Sequence, residues 1–163
     1  MQSIFWIDLE TDWRYKRQAE DADMAVTVRN VTIWRKEVEN QPGELAAALE
    51  PLAKAGASLK VLMGYRLPGE EGKAAIELYP VAGKKAAAAA ASAGLAASSI
   101  PALHVEGDDK PALMHAMASA LAGAGINISF LIAQVVGSKY TAIWGFETEE
   151  AAQKAAALIR KIR

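Results

Sequence analysis

The sequence predicts an α+β fold built as two repeated units in tandem, and three observations carry that prediction. Short alternating stretches of Val, Ile, Tyr and Trp are interleaved with alanine- and leucine-rich stretches of helical period. The order strand, helix, strand, hairpin, strand, helix runs through residues 26–100 and restarts at residue 101. The landmarks keep one offset: Pro42 and Pro111, Gly56 and Gly125, Leu52 and Leu121, Leu59 and Ile128, and Val61 and Phe130 each stand 69 residues apart. Helices alternating with mainly antiparallel strands make each unit a ferredoxin-like βαββαβ, an antiparallel sheet with helices on one face. The expected organisation is an arm over 1–25, a first unit over 26–100 and a second over 101–163. The two units are expected side by side or back to back.

Taken in order, Ile4–Leu9 reads as a strand in the arm, followed by a charged, helical piece from Thr11 to Asp23. Val26–Val38 reads as the first strand of the first unit, rich in Val, Thr, Ile and Trp. A helix follows Pro42, with Leu45, Ala48, Leu49 and Leu52 along one stripe, Pro51 bending its last turn and Gly56 ending it. Leu59, Val61, Met63, Tyr65 and Leu67 alternate as a strand with one buried face. Pro68–Gly72 turns the chain, and Ala74, Ile76 and Leu78 carry the returning strand. Lys84–Ala93 is a helix by propensity, closed by Gly94. The second unit repeats this with a strand over Ala102–Glu106 and a helix over Pro111–Ala124. A strand over Ile126–Ile132, a turn at Gly137-Ser138-Lys139, a strand over Tyr140–Phe146 and a helix opening at Thr148 follow. The sequence ends at Arg163, leaving little room for a last strand in the second unit. The arm or a partner is expected to fill that place.

At 163 residues and 52% apolar composition, the chain can bury one core or two small ones. With 18 basic and 19 acidic residues, nothing favours nucleic acid or an anionic membrane as partner. There are no cysteines, which excludes disulfides, thiolate metal sites and a cysteine nucleophile and is compatible with the cytoplasm. No stretch approaches the roughly eighteen apolar residues of a membrane span, and no basic start followed by a long apolar run suggests a secretory signal.

The stretch Asn40-Gln41-Pro42-Gly43-Glu44-Leu45 is the candidate binding segment. Proline suits the first turn of a helix, and Gly43 leaves the backbone open to an approaching ligand. The amides that follow point out of a helix N-terminus, a ready site for a carboxylate. Asp108-Asp109-Lys110-Pro111-Ala112-Leu113 is its counterpart, where the two aspartates suit helix caps better than catalytic acids. Asn127, just past Gly125, suits a ligand bond and a bond to its own loop equally. His104 and His115 have no carboxylate cluster at metal-ligand spacing and suit surface or packing roles. Gly123-Ala124-Gly125 ends a helix and begins a strand, the reverse of a dinucleotide loop. No nucleophile, base and orienter can be assembled, so no catalytic, metal or cofactor site is assigned.

The residues Asn40-x-Pro42-Gly43-x-Leu45 and Leu52-Ala53-Lys54-Ala55-Gly56-Ala57, echoed by Asp109-Lys110-Pro111-Ala112-Leu113 and Leu121–Ile128, resemble the tandem ACT-domain family of amino-acid-binding regulatory proteins. The resemblance covers residues 26–163. It implies an effector held where two copies meet, the loops Asn40–Leu45 and Asp108–Leu113 supplying amides. The strands near Ala57–Leu59 and Ile126–Ile128 are then expected to close the pocket. Ala112, standing where the first copy has Gly43, departs from the pattern. The implied protein is a non-catalytic sensor, a homodimer with a free amino acid as effector and a regulated enzyme as possible partner. The alternative is a ligand-free assembly protein on the same fold.

Overall fold

A computed structural model describes residues 26–162. The arm expected over 1–25, with its strand and helical piece, lies outside the described residues. In order the elements are β1 (Thr27–Val31), β2 (Trp34–Glu39), α1 (Glu44–Lys54), β3 (Val61–Arg66), β4 (Lys73–Tyr79), α2 (Gly83–Ser92) and β5 (Ala96–Ala97). The second repeat continues with β6 (Ala102–Asp108), α3 (Leu113–Gly123), β7 (Phe130–Val136), β8 (Lys139–Gly145) and α4 (Glu149–Ile159). They build two four-stranded antiparallel sheets, ordered β3-β4-β2-β5 and β1-β6-β8-β7. Each is a ferredoxin-like sheet with two helices, the α+β architecture that the repeat predicts.

The stretch Val26–Val38 departs from expectation. It is not one strand of the first unit: it breaks at Thr32-Ile33, and its two halves enter different sheets. β2 takes the central position beside β4, whereas β1 crosses over and pairs antiparallel with β6, Val28 opposite Val105. The place of a last strand in the second repeat is thus filled from the N-terminal side, by residues 27–31. Ile33, at the break, is 2% exposed and packs with Ala102 and Ile143. Burying that side chain fixes where the chain changes sheet.

Period-two alternation assigns the faces. In β8, Tyr140, Ala142 and Trp144 point to one side with Phe146 beyond them, joining Leu113, Met117, Leu121, Ala155 and Ile159 of α3 and α4 in the largest core. In the first repeat, Leu52 and Ala90 of the helices meet Leu78, while Ala48 meets Val38 and Ile76. The opposite faces of the two sheets meet each other. Ile143, Ala102 and Phe130 from one sheet pack with Val61 and Tyr79 from the other, so the repeats lie back to back as helix, sheet, sheet, helix.

This contact between sheets is less apolar than the helix-covered cores. His104 is 3% exposed, shares a 2.8 Å hydrogen bond with Thr141 through Nε2, and meets the Tyr79 ring edge-on at 5.7 Å between centroids. Burial lowers its pKa below the ordinary value, Glu106 opposes that shift, and Lys60 and Arg29 add to it. On the other sheet Glu77, 5% exposed, accepts from Tyr65 Oη at 2.9 Å and lies 3.5 Å from Arg35 Nε. Among the described residues no helix is long and apolar enough to cross a membrane.

Candidate functional site

β2 delivers the chain at Glu39 to a short loop, and α1 begins only at Glu44, two residues after the proline. The loop is tied to the β3–β4 hairpin, since Asn40 donates its backbone amide to Gly72 O at 2.9 Å and its side-chain amide to Glu71 O at 3.1 Å. Gly43 stands at the N-cap with φ 98° and ψ −24°, a left-handed conformation that glycine adopts without the steric cost a Cβ brings. Its carbonyl accepts from Ala47, and no side chain caps the first turn. The leading amides of α1 therefore face outward with the positive end of the helix dipole behind them.

Beside this helix start lies a cleft of about 220 Å³. Asn40, Gln41, Glu44 and Leu45 border it from the loop and helix, Glu39 from β2, and Tyr65 and Arg66 from β3. β3 runs parallel to β2, because each pairs antiparallel with β4, so its C-terminal end comes back to the loop. Leu45, 43% exposed, adds an apolar wall. The cleft has both signs of charge on its rim. Glu39 pairs with Lys73, and Glu44 accepts from Gln41 Nε2 at 3.2 Å. Arg66 has no ion-pair partner among the described residues.

The sequence-predicted residues divide into three groups. Asn40, Gln41, Glu44 and Leu45 come together on the cleft, with Pro42 and Gly43 shaping the turn behind it. Ala57 and Leu59 do not close it. They lie at the far end of β3, packed with Leu52 and Leu78, and Ala57 N donates to Leu52 O as a helix cap. Ile126 and Ile128 likewise pack on the α3/α4 core, and Asn127 Nδ2 bonds Glu147 at 3.0 Å.

In the second copy Asp108 pairs with Lys139, and Asp109 N donates to Ser138 O. Ala112 takes φ 64° at the position of Gly43. Pro111 again precedes the helix, but Leu113, at the position of Glu44, is 6% exposed and belongs to the core, while its amide bonds Lys110 O. At the position of Arg66 this copy has Val135. The counterparts of Glu44 and Arg66 therefore carry no charge, whereas Asp108 keeps the acid of Glu39.

Arg66, Tyr65 and Glu39 are the polar cleft residues absent from the sequence-read candidates, as are the apolar lining residues Val38, Gly64, Ala74, Ala75 and Ile76. Arg66 was readable: a cation ends an otherwise apolar strand that the βαββ topology returns to the loop over Asn40–Leu45.

No family model matches the chain, and no curated protein matches it. Solved structures do. A protein from Bacteroides thetaiotaomicron, BT0572, superposes with a TM-score of 0.66 at 14% identity, covering 82% of this chain and 98% of that one. The ligand-free regulatory subunit of aspartate kinase from Thermus thermophilus superposes at 0.56 with 18% identity, covering 86% and 98%. That from Thermus flavus superposes at 0.51 with 20% identity, covering 83% and 96%. The chain has the tandem ACT fold. Nearly the whole of these neighbours is matched, and the match extends over both repeats of this chain.

Proposed function

We propose that the chain is a non-catalytic regulatory module that senses a free amino acid at the cleft beside α1. One observation carries this reading: outward amides, Arg66, and the carboxylates Glu39 and Glu44 converge on one small space. An amino acid is a zwitterion of matching charge. Its carboxylate suits the α1 amides and the Arg66 guanidinium, its ammonium suits Glu44 and the Asn40 side chain, and Leu45 offers an apolar surface. Support also comes from the neighbours, which are described as regulatory subunits of aspartate kinase. The first repeat is then the sensing copy and the second a structural one.

A thermal-shift screen against the twenty amino acids tests this. A ligand at one hundred times its dissociation constant adds about 2.7 kcal/mol to the folded state. Arg66→Met is expected to remove that shift without altering the melting temperature of the unliganded protein, because Arg66 is on an exposed strand end. Gly43 is a poorer test position, since φ 98° strains any side chain placed there whether or not ligand binds. If no amino acid moves the melting temperature, the sensing reading fails.

The alternative reading as an assembly protein has one specific observation behind it. β7 is a sheet edge of seven residues without a charge, and Leu131, Ile132, Val135 and Val136 are 37–68% exposed along it. Edges of this kind are usually blunted by charge or covered. A second copy pairing antiparallel at β7 would cover it under both readings. Light scattering is then expected to give a dimer, and Val135→Lys a monomer. A monomeric wild-type protein at micromolar concentration would count against the pairing.

A further inference from the structure

A second cleft, independent of the amino-acid site, lies between the two repeats. It has a volume of about 170 Å³ and is walled by Lys60, Val61 and Met63 on one sheet and by Ile132, Gln134, Thr141 and Ile143 on the other. Strand register shows that these side chains belong to the inter-sheet faces. Ile132 stands opposite Ile143 and Gln134 opposite Thr141, while Val61 and Met63 stand opposite Tyr79 and Glu77.

Thr141 is held by the buried His104, and the ring's needs decide what the threonine offers. The ring's Nδ1 is buried without a hydrogen-bond partner among the described residues. A buried N–H left orphaned costs more than an unused lone pair on a ring nitrogen. Neutral His104 therefore keeps its proton on Nε2, the side 3.8 Å from the Glu106 carboxylate, and donates it to Thr141 Oγ1 at 2.8 Å. The threonine hydroxyl, already accepting, has its own proton left to donate. The cleft thus combines a hydroxyl donor, the Gln134 amide and the Lys60 ammonium over a floor of Val61, Ile132 and Ile143. No carboxylate forms an ion pair with Lys60 among the described residues.

We propose that this cleft binds a small monocarboxylic acid with a short branched apolar tail, its carboxylate on Thr141, Lys60 and Gln134 and its tail against Val61, Ile132 and Ile143. The neighbouring carboxylate, Glu106 opposite Thr141, is paired with Arg29 at 3.0 Å, and the remaining donors select a carboxylate over an amine. The size follows from the volume, since a cavity of roughly 150 Å³ accommodates a molecule of benzene's dimensions. Because its walls come from both repeats, a ligand there bridges them and reports on their mutual seating.

The probe is 3-methylbutanoate, with 3-methylbutylamine as its cationic counterpart, titrated into the full chain and followed by calorimetry and ligand-observed NMR. Saturable binding of the acid at about millimolar concentration, and none of the amine, is expected. Thr141→Val and Lys60→Met are each expected to weaken the acid by about tenfold or more, the loss of one charge-assisted hydrogen bond. Arg66→Met, which disables the α1 cleft, is expected to leave it unchanged. The proposal is overturned by no saturable binding, by unchanged binding in both Thr141→Val and Lys60→Met, or by loss of binding in Arg66→Met. A further contrary result is equal binding of the amine.

Discussion

Deleting residues 1–31 is expected to unfold the second repeat, while joining the same strand to the other end of the chain rescues it. β1 supplies a complete edge of the sheet, its register with β6 running from Thr27–Glu106 to Val31–Ala102. Val28 is 7% exposed within the α3/α4 core, and Arg160 of the α4 end donates to Val28 O at 3.0 Å. Deletion removes that ladder and uncovers the β6 edge and the flank of α4, against a stability that in an ordinary domain is only about 5–15 kcal/mol. The Arg160 bond also places the end of α4 beside the start of β1. A permuted chain that begins at Thr32 and carries residues 26–31 on a short linker after Arg163 restores a complete βαββαβ order. Circular dichroism and hydrogen exchange are expected to show loss of α4 protection in the deletion and its return in the permutant. Full α4 protection in the deletion would contradict the crossover.

The largest single-residue effect is expected at Trp144. Its side chain is fully buried between the β6/β8 face and helices α3 and α4, among Leu103, Met117 and Phe146. Trp144→Ala leaves a cavity there and is expected to cost about 3–5 kcal/mol, a fall in melting temperature of roughly 10 °C for a chain of this size. Trp144→Phe is the informative control. The indole Nε1 is buried without a hydrogen-bond partner among the described residues, so phenylalanine removes an orphaned donor while keeping most of the apolar contact. A loss well below half that of Trp144→Ala is expected in thermal unfolding. Equal losses in the two variants would show that the indole nitrogen is engaged after all.

The repeat, the element types and the helix-facing stripes were legible in the sequence because burial on one face writes its period into the residues. The crossover at Thr32-Ile33 was not. Val26–Val38 has no glycine or proline to mark a break, and β propensity does not say which sheet a strand joins. Leu59 and Ile128 were apolar and in phase, yet β3 begins at Val61 and β7 at Phe130. The preceding residues pass beneath a helix end, where burial needs no ladder.

The loop and helix start at Pro42-Gly43 were legible from proline and glycine alone, but the residues of β3 that face them depend on strand direction, which only the sheet order supplies. His104 illustrates the same limit. Alternation placed it opposite to Leu103 and Val105 without showing that a second sheet lay on that side.

The claim that the first repeat senses an amino acid at the α1 cleft is tested most directly by backbone-amide NMR of the full chain, titrated with whichever amino acid raises its melting temperature. The account predicts the largest shifts at Glu44, Leu45 and Arg66, with Asp108–Leu113 unmoved. Shifts centred on Asp108–Leu113, or the same pattern retained in Arg66→Met, would contradict it.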